Sequence, residues 1–274
     1  IKKILKYRLD EFEVIHDNQS LCYELLFFQK KIPLVTTIHH PISKDLKFQL
    51  KSTKSLFLKF LMIRWHSFLR MQIRVAKKLK SVIVVSKSSK QDIHEDFGLK
   101  KAVMKVILNG IDTEAFFPDK NVTKIPFRIV TTASADVPLK GLDYLLEAFS
   151  KVIKIFPEST LQVIGSSKKG GHTSRKIKDL NIKDKVHFNK DLSFKEVRDL
   201  YCSSDVVVIP SLYEGFGFAI GEAMACRVPV ITTSGGAIPE VIGNCGITVS
   251  PGNSEELEEA MLKLIPDENL KKSL

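Results

Sequence analysis

The chain has 274 residues, of which 44% are apolar and 27% are charged, and this balance excludes intrinsic disorder. Its uncharged apolar runs are well short of the roughly 18 to 20 residues that a membrane-spanning helix requires. The net charge of +11 is uneven, because residues 1–118 hold 22 Lys and Arg against 11 Asp and Glu, whereas residues 119–274 hold 20 against 20. The basic excess therefore lies in the first part of the chain.

The start of the chain and its cysteines bear on where the protein works. The first residue is Ile1 rather than Met, and the opening IKKILKYRLDEFEVIH leads into a strand without the apolar core of a signal peptide, so we expect a fragment. The cysteines form no C-x-x-C pair and lie in apolar segments, at Cys22, Cys202, Cys226 and Cys245. This pattern favours buried free thiols over disulfides or a zinc site, and hence a reducing, cytoplasmic compartment.

The first part of the chain alternates short β-branched runs with longer amphipathic ones, as in βα units that build a parallel sheet. Strands are predicted at 13–16, 34–38, 82–85 and 105–108, with helices near 20–29, 55–79 and 87–96. We therefore expect a Rossmann-like domain over residues 1–118 that lacks its opening strands.

The basic segment 44–80 carries eleven Lys and Arg and one acidic residue, interleaved with large apolar side chains. One helical stripe is predicted to be mostly core, formed by Leu61, Trp65, Phe68, Leu69, Val75, Ala76 and Leu79. Other apolar residues lie off this stripe among the cations, as in helices that rest on anionic lipid, namely Phe57, Leu58, Met62 and Ile73. A solvated basic face would explain the same pattern, so both interpretations stay open. Nucleic-acid binding is not expected, because no nucleic-acid motif accompanies the charge.

A polar stretch without periodicity, residues 119–127, is predicted to link two domains. Beyond it the alternation resumes, with strands predicted at 128–132, 160–164, 186–188, 205–209, 229–232 and 246–249, and helices near 142–155, 173–180, 194–202, 217–226, 237–242 and 254–265. We therefore expect a second Rossmann-like domain over residues 128–274. Two such doubly wound α/β domains facing each other would form a ligand cleft at the carboxyl ends of their strands.

The segment EGFGFAIGE, from Glu214 to Glu222, follows a buried strand and enters a helix that is predicted to start near Gly217. Glycines in such a turn let backbone N–H groups approach an anion, and the helix N-terminus adds partial positive charge. Two carboxylates beside a phosphate site suit the hydroxyl groups of a sugar or ribose, because one carboxylate can accept two hydrogen bonds. The segment therefore predicts a sugar-nucleotide site.

The spacing of these glutamates resembles the E-x7-E element of the retaining glycosyltransferases of family 4, or glycosyl transferases group 1. Other segments match that family in the same order, namely VTTIH (35–39), VILNGIDTEAFFP (106–118), PLKGLDYLLEAF (138–149) and SGGAIPEVI (234–242). Several matches at consistent spacing are far more specific than E-x7-E alone. The resemblance implies the GT-B fold, which has two facing Rossmann-like domains.

The resemblance also implies roles for individual residues. Glu222 would bind the donor ribose, and Glu214 would lie at the transferred sugar as a catalytic residue. The sugar and phosphate would contact the backbone amides of Gly215, Phe216, Gly217 and Phe218. Lys140 would neutralise the diphosphate, and His39, the other catalytic residue, would reach across the cleft towards the reacting sugar.

The reaction implied by the resemblance is transfer from a nucleotide-sugar donor to a lipid or glycan acceptor, with retention of anomeric configuration. The leaving phosphate would help to deprotonate the acceptor, so no protein nucleophile, metal ion or other cofactor is expected. Stabilisation of the departing diphosphate by helix-end amides and a lysine is electrostatic catalysis. We expect a cytoplasmic enzyme, with peripheral attachment to the inner face of the membrane as an open alternative.

Some features depart from the family pattern. The family has an arginine shortly before the lysine, whereas TTASADVPLKG offers Ser134 and Asp136 there. The chain also ends without the family segment that crosses back to the first domain. His40 is an alternative to His39 as the functional histidine, and Asn109-Gly110 is interpreted as a turn at the domain edge.

Two other functions fit parts of the sequence. A glycoside hydrolase could use Glu214 and Glu222 as acid and nucleophile, although the phosphate-type turn between them argues against it. A non-catalytic module that binds sugar nucleotides or docks on membranes is suggested by the missing arginine and the truncated ends.

Overall fold

The structure, a computed structural model, describes residues 11–133, 135 and 137–274. Contacts between residues divide the chain into two compact units between Asn109 and Gly110. The domain limits expected at residues 118 and 128 stay predictions. In the structure, residues 110–127 belong to the second unit. Phe116, which lies in this segment, is buried in the core of that unit.

The first unit contains a parallel sheet of four strands in the order β1-β2-β3-β4. Its strands are β1 (Ile15–Asn18), β2 (Leu34–Ile38), β3 (Val82–Val84) and β4 (Met104–Val106). Its helices are α1 (Glu24–Phe28), α2 (Ile42–Ser52), α3 (Leu56–Trp65), α4 (Leu69–Ala76) and α5 (Lys87–Phe97). The core of this unit is formed by apolar residues of the sheet together with residues of α1, α4 and α5.

The region between β2 and β3 differs from the single long helix predicted at 55–79. Three helices occupy it, because Pro41 and Thr53 have extended backbone at the ends of α2, and a short 3-10 segment, His66–Phe68, separates α3 from α4. The predicted core stripe is therefore only partly buried. Leu69, Val75, Ala76 and Leu79 are in the core, whereas Leu61 and Trp65 are exposed, so their assignment to the core was wrong.

The second unit contains a parallel sheet of six strands in the order β10-β9-β8-β5-β6-β7. Its strands are β5 (Arg128–Thr131), β6 (Thr160–Ile164), β7 (Val186–Asn189), β8 (Val206–Ile209), β9 (Val230–Thr233) and β10 (Ile247–Val249). Its helices are α6 (Leu142–Ile155), α7 (His172–Asp179), α8 (Phe194–Cys202), α9 (Phe218–Ala225), α10 (Ile238–Ile242), α11 (Ser254–Leu264) and α12 (Glu268–Ser273). The α/β class with parallel sheets, predicted from the alternation of runs, is confirmed.

The burial of strand β8 shows that helices cover both faces of the sheet in the second unit. All four of its residues are buried, and successive side chains of a strand point to opposite faces. Val206 and Val208 enter the cluster that contains α6 and α11, whereas Val207 and Ile209 enter the cluster that contains α8 and α9. The central strand is therefore apolar without alternation, as expected for a doubly wound sheet.

Local signals in the sequence are also found in the structure. Ser193 and Glu196 form the predicted capping box at the start of α8, and Asn253 caps α11. The cysteines are free thiols as predicted, but only Cys202 and Cys226 are buried, and Cys245 is exposed. None of the helices in the described part of the chain has the length and apolar character needed to cross a membrane.

Candidate functional site

The order of the second sheet reverses between β5 and β8, which are neighbours although β6 and β7 lie between them in sequence. Such a reversal leaves a crevice at the carboxyl ends of the two strands, where open α/β sheets bind ligands. The loops that follow β5 and β8 meet there, and the backbone N–H of Leu212 donates to the carbonyl oxygen of Leu139 at 2.8 Å. The PLKG segment and the EGFGF turn are thereby brought together.

Gly141 makes this close approach of the two loops possible. It precedes α6 with φ of 66°, in the left-handed region that favours glycine. An added Cβ at this position would overlap the carbonyl oxygen of Pro210 at the end of β8. The absence of a side chain therefore fixes the position of Lys140, the preceding residue, beside the β8 loop.

Glu214 is held by two donors at the centre of the site. Nζ of Lys140 and Oγ of Ser211 each lie 2.7 Å from its Oε1 and donate to it. Among the described residues, no hydrogen-bond donor contacts the other oxygen, Oε2. The lysine expected to face a diphosphate is therefore paired with the carboxylate expected to face the sugar, and the two charges offset each other.

The loop after β9 completes the group of turns. The carbonyl oxygen of Glu214 accepts a hydrogen bond from the N–H of Ala237 at 2.8 Å, and Glu214 forms an isolated parallel bridge with Gly236. Three segments singled out in the sequence, at 138–149, 214–222 and 234–242, thus converge at the carboxyl ends of neighbouring strands. Ser134 and Asp136 lie outside the described residues.

Residues 215 to 218 lead into the N-terminus of α9. Gly217 is its N-cap residue, with φ of 102°, and as a glycine it has no side chain with which to cap this end. A helix N-terminus presents N–H groups and partial positive charge. The rings of Phe216 and Phe218 contact edge to face at 5.2 Å, and Phe216 is buried whereas Phe218 is exposed. The N-terminus of α9, which follows residues 215–217, is therefore suited to binding an anion.

Glu222 lies one turn further along α9 and faces a different environment. It lines a cavity of about 190 Å³ whose other walls are formed by Gly110, Ile111, Asp112, Ala115, Phe116, Phe194 and Phe218. Burial raises the pKa of the Glu222 carboxyl, and the nearby Tyr201 hydroxyl partly opposes this effect. The cavity therefore combines apolar and aromatic walls with two carboxylates, those of Glu222 and of Asp112, and Oδ1 of Asp112 already accepts hydrogen bonds from the N–H groups of Glu114 and Ala115. This combination suits a ring bearing hydroxyl groups.

His39 lies in the first unit, directly after β2, with its ring half-buried. Its Nε2 is 2.6 Å from Oδ1 of Asn18, which can only accept, so Nε2 carries the proton and Nδ1 is an acceptor. Its backbone N–H donates to Gln19, and its carbonyl oxygen accepts from Ser89. Burial, followed by the neighbouring His40, lowers the pKa of His39. The imidazole is therefore fixed in position and favours the neutral form.

His40, the alternative functional histidine, has a different partner. Its Nε2 lies 3.0 Å from Oδ2 of Asp45 on α2, and its carbonyl oxygen accepts a hydrogen bond from Gln19. This pairing gives His40 a structural contact of its own.

Several residues of the site were not anticipated from the sequence. Ser211 and Tyr201 act through tertiary contacts that no local pattern reveals. Gly110 and Ile111 line the cavity, although Asn109-Gly110 was interpreted only as a turn at a domain edge. Among the described residues, no group of three or more His, Cys, Asp or Glu side chains could hold a metal ion.

Comparison with known proteins gives matches over nearly the whole chain. The family model described as Glycosyl transferases group 1 matches residues 126–267, and the model described as Glycosyltransferase Family 4 matches residues 1–115. The MMP α-(1→4)-mannosyltransferase of Mycolicibacterium hassiacum is 37% identical over 267 residues, which cover 96% of this chain and 64% of that protein.

Two further relatives extend the comparison. A GDP-mannose-dependent phosphatidylinositol monomannoside mannosyltransferase of Corynebacterium glutamicum is 30% identical over 58% of this chain and 46% of its own length. The structure of HepE from Anabaena in complex with UDP-glucose has a TM-score of 0.79 at 22% identity, and the match covers 99% of this chain and 73% of that one. The chain thus spans less than two thirds of the length of each of these two mannosyltransferases. It belongs to the family of glycosyl transferases group 1.

Proposed function

We propose that the chain is part of a nucleotide-sugar-dependent glycosyltransferase and that its second unit binds the donor. The observation that carries this proposal is the convergence of Lys140, Glu214 and the N-terminus of α9 where the strand order reverses. One cation and one helix end serve a diphosphate, and a carboxylate beside them serves sugar hydroxyls. The family assignment supports transfer and argues against a glycoside hydrolase.

We propose that the two glutamates bind different parts of the donor. The ribose hydroxyls would donate to Glu222 in its cavity, and the nucleoside would contact the aromatic walls formed by Phe194 and Phe218. The diphosphate would lie at Gly215 to Phe218 beside Lys140. Glu214 would then accept hydrogen bonds from the transferred sugar while Ser211 holds it in place.

The ion pair between Lys140 and Glu214 bears on catalysis in this proposal. A bound diphosphate would attract the ammonium of Lys140 and so free part of the Glu214 carboxylate for the sugar. As the bond to the sugar breaks, negative charge grows on the departing phosphate, and a lysine and helix-end amides positioned beforehand stabilise it. From the first unit, His39 is proposed to act on the reacting sugar.

The finer features of the reaction are proposed on the resemblance of the E-x7-E segment. They are retention of configuration, independence of metal ions, and a lipid or glycan acceptor. GDP-mannose is the first donor to test, because the names of two relatives specify mannosyl transfer and one of them names GDP-mannose. A cytoplasmic location, expected from the cysteine pattern, stays a prediction.

The proposal is tested by calorimetric titration of the chain with GDP-, UDP- and ADP-sugars. The preferred donor is then titrated against Glu222→Ala and against Glu158→Ala, a control at an exposed position before β6. We expect Glu222→Ala to weaken binding about tenfold or more, as for loss of a charged hydrogen-bond partner, and the control to bind like the parent. Absence of binding to all three donor classes, or unchanged affinity in Glu222→Ala, would contradict the proposal.

A further inference from the structure

Tyr201 of α8 lies behind one wall of the Glu222 cavity. Its side chain is fully buried, and the centroid of its ring lies 6.2 Å from that of Phe116. Phe116 in turn contacts Phe194 edge to face, with 6.1 Å between the ring centroids, and both phenylalanines line the cavity. Tyr201 therefore supports an aromatic wall of the cavity, although it does not line the cavity itself.

The hydroxyl of Tyr201 lies near two polar groups, the carboxyl of Glu222 and the hydroxyl of Thr132. Both groups are close enough to affect its proton equilibrium. Burial, followed by the charge of Glu222, raises the pKa of Tyr201, so the hydroxyl keeps its proton at neutral pH. Tyr201 can therefore offer a proton to the Glu222 carboxylate, which has only acceptors.

Thr132 brings the end of strand β5 into this group. Val130 of β5 belongs to the apolar cluster that contains α8 and α9. Because alternate residues of a strand point to the same face of its sheet, Thr132 is directed to that side as well. The strand order reverses beside β5. Polar groups from β5, α8 and α9 therefore meet at the edge of the sheet where the donor site is proposed.

Neither hydroxyl is satisfied by a well-aligned hydrogen bond. Oη of Tyr201 and Oγ1 of Thr132 are both buried, and no partner among the described residues meets either of them in hydrogen-bond geometry. Such a hydroxyl destabilises the fold, and a phenylalanine ring would fill the same space without it. Hydrogen bonds at functional sites are often poorly aligned without ligand and tighten in the complex. The hydroxyls beside Glu222 therefore point to a role in the complex.

We propose that Tyr201 is a positioning residue for Glu222, whose carboxylate it holds in place in the donor complex. In this arrangement the Tyr201 hydroxyl donates to one oxygen of Glu222, and the Thr132 hydroxyl donates to Oη of Tyr201. The other oxygen of Glu222 is then left for the hydroxyl groups of the ribose. This role rests on the proposed function, in which Glu222 binds the donor.

A first test uses the chain without donor. The Tyr201 hydroxyl opposes the effect of burial on the Glu222 carboxyl, so Tyr201→Phe should raise the pKa of Glu222. The pKa is measured from the carboxyl carbon shift in an NMR titration, with the Glu222 signal assigned by its loss in Glu222→Gln. An unaltered pKa in Tyr201→Phe would overturn the role of Tyr201, whether or not a donor binds.

Other titratable groups near Glu222 are the same in every variant. Asp112 lies across the cavity, and the thiol of Cys226 lies one turn further along α9. Burial raises the pKa of Cys226, so this thiol carries no charge at neutral or acidic pH. The matched control is Ser159→Ala, which also removes a buried hydroxyl without a partner among the described residues. Ser159 precedes β6, at the end of the sheet opposite the donor site, so its loss should leave the pKa of Glu222 unchanged.

A second test measures donor affinity by calorimetry, with the GDP-, UDP- or ADP-sugar that the parent binds best. At pH about 7.5, Tyr201→Phe should bind about fivefold or more weakly. On acidification its affinity should also begin to fall at a higher pH than that of the parent. A loss of affinity with an unaltered pH dependence would show that Tyr201 contributes packing alone and would overturn the proposal. No binding by the parent would instead overturn the proposed function.

Variants of Thr132 test the same contact from the side of β5. Thr132→Val keeps the shape of the side chain and removes its hydroxyl, so it should weaken donor binding in the same direction as Tyr201→Phe, but less. Thr132→Ser retains the hydroxyl and should bind like the parent. Circular dichroism should show unaltered folding in each variant. Equal affinities of Thr132→Val and Thr132→Ser would overturn the part assigned to Thr132.

Discussion

Glu214 accepts hydrogen bonds from Lys140 and Ser211 on a single carboxylate oxygen. Glu222, on the next helix, lines an apolar cavity, and burial raises its pKa. The charge of Glu214 is therefore offset by a neighbouring ammonium, whereas burial disfavours the charged form of Glu222. The two settings fit the different roles proposed for these residues, in which Glu214 contacts the transferred sugar and Glu222 accepts hydrogen bonds from the ribose.

Acidification is expected to weaken donor binding through Glu222. Its raised pKa means that the carboxyl takes up a proton at a higher pH than an exposed glutamate, whose pKa is about 4.3. A protonated carboxyl accepts hydrogen bonds from hydroxyl groups less well than a carboxylate. Calorimetric affinity for the donor should therefore fall as the pH is lowered from about 7.5 to about 5.

Glu222→Gln is the control for this titration, because the amide has no proton to gain. Its affinity should be lower at neutral pH and constant over the same range. The substitution also affects stability. A buried carboxyl with a raised pKa destabilises the fold above that pKa, and the penalty is relieved as the pH falls through it. The variant should be more stable than the parent at neutral pH, and a difference that does not shrink in acid would contradict the assignment.

Asn18→Asp is expected to raise the pKa of His39. Oδ1 of Asn18 lies 2.6 Å from the ring, and a carboxylate there would favour the charged imidazolium. This effect opposes the burial and the His40 charge that lower the pKa in the native chain. Titration of the His39 ring proton by NMR measures the shift, with Asn244→Asp, at an exposed position, as the control. An unaltered pKa in Asn18→Asp would show that the contact does not form.

The elements of the second unit bring the site together through one close approach, at the start of α6. Gly141 lies against the end of β8, and the loop that carries Lys140 is fixed there. Without this approach, the loops after β5 and β8 could not exchange the hydrogen bond between Leu139 and Leu212. Helix packing and site geometry therefore depend on the same glycine.

Gly141→Ala is expected to destabilise the fold more than Gly170→Ala. Both glycines have positive φ, so both variants carry backbone strain of about 1–2 kcal/mol. Only at Gly141 does an added Cβ meet the backbone of another strand, whereas nothing lies near it at Gly170. Urea unfolding should show an additional loss of roughly 1–3 kcal/mol for Gly141→Ala. Equal losses in the two variants would contradict the proposed role of the close approach.

Sequence patterns predicted most elements, but not every boundary. Helix α6 has the limits expected, because its apolar periodicity is regular and Gly141 precedes it. The prediction of a single helix at 55–79 was wrong, because a continuous apolar stripe in the sequence does not show where a helix is interrupted. The 3-10 segment at 66–68 changes which of the side chains that follow it face the core. Helix α2 was missed altogether.

The site was predictable where its residues are close in sequence. The glycine turn, its two glutamates and its position before a helix follow from the segment itself. The pairing of Lys140 with Glu214 depends on the strand order and could not be read from local patterns. The same holds for Ile111 in the Glu222 cavity. The catalytic and donor-binding roles of these residues stay predictions.

In the whole molecule, the proposed donor site and the excess of Lys and Arg lie in different parts of the chain. Each unit has apolar clusters formed from its own residues. The proposed donor site lies within the second unit, whereas all of the excess positive charge lies in residues 1–118. Lys140, Glu214 and Glu222 thus lie in the part of the chain whose formal charges balance.

The proposed donor site is tested most directly by mapping the bound donor on the chain by NMR. The isotope-labelled chain is titrated with the donor that binds best, and the backbone amide shifts are followed residue by residue. The largest shifts are expected at Gly215 to Phe218 and at Lys140. Unchanged shifts at these positions, with the largest changes at another glycine-containing loop, residues 165–171, would contradict the proposed site.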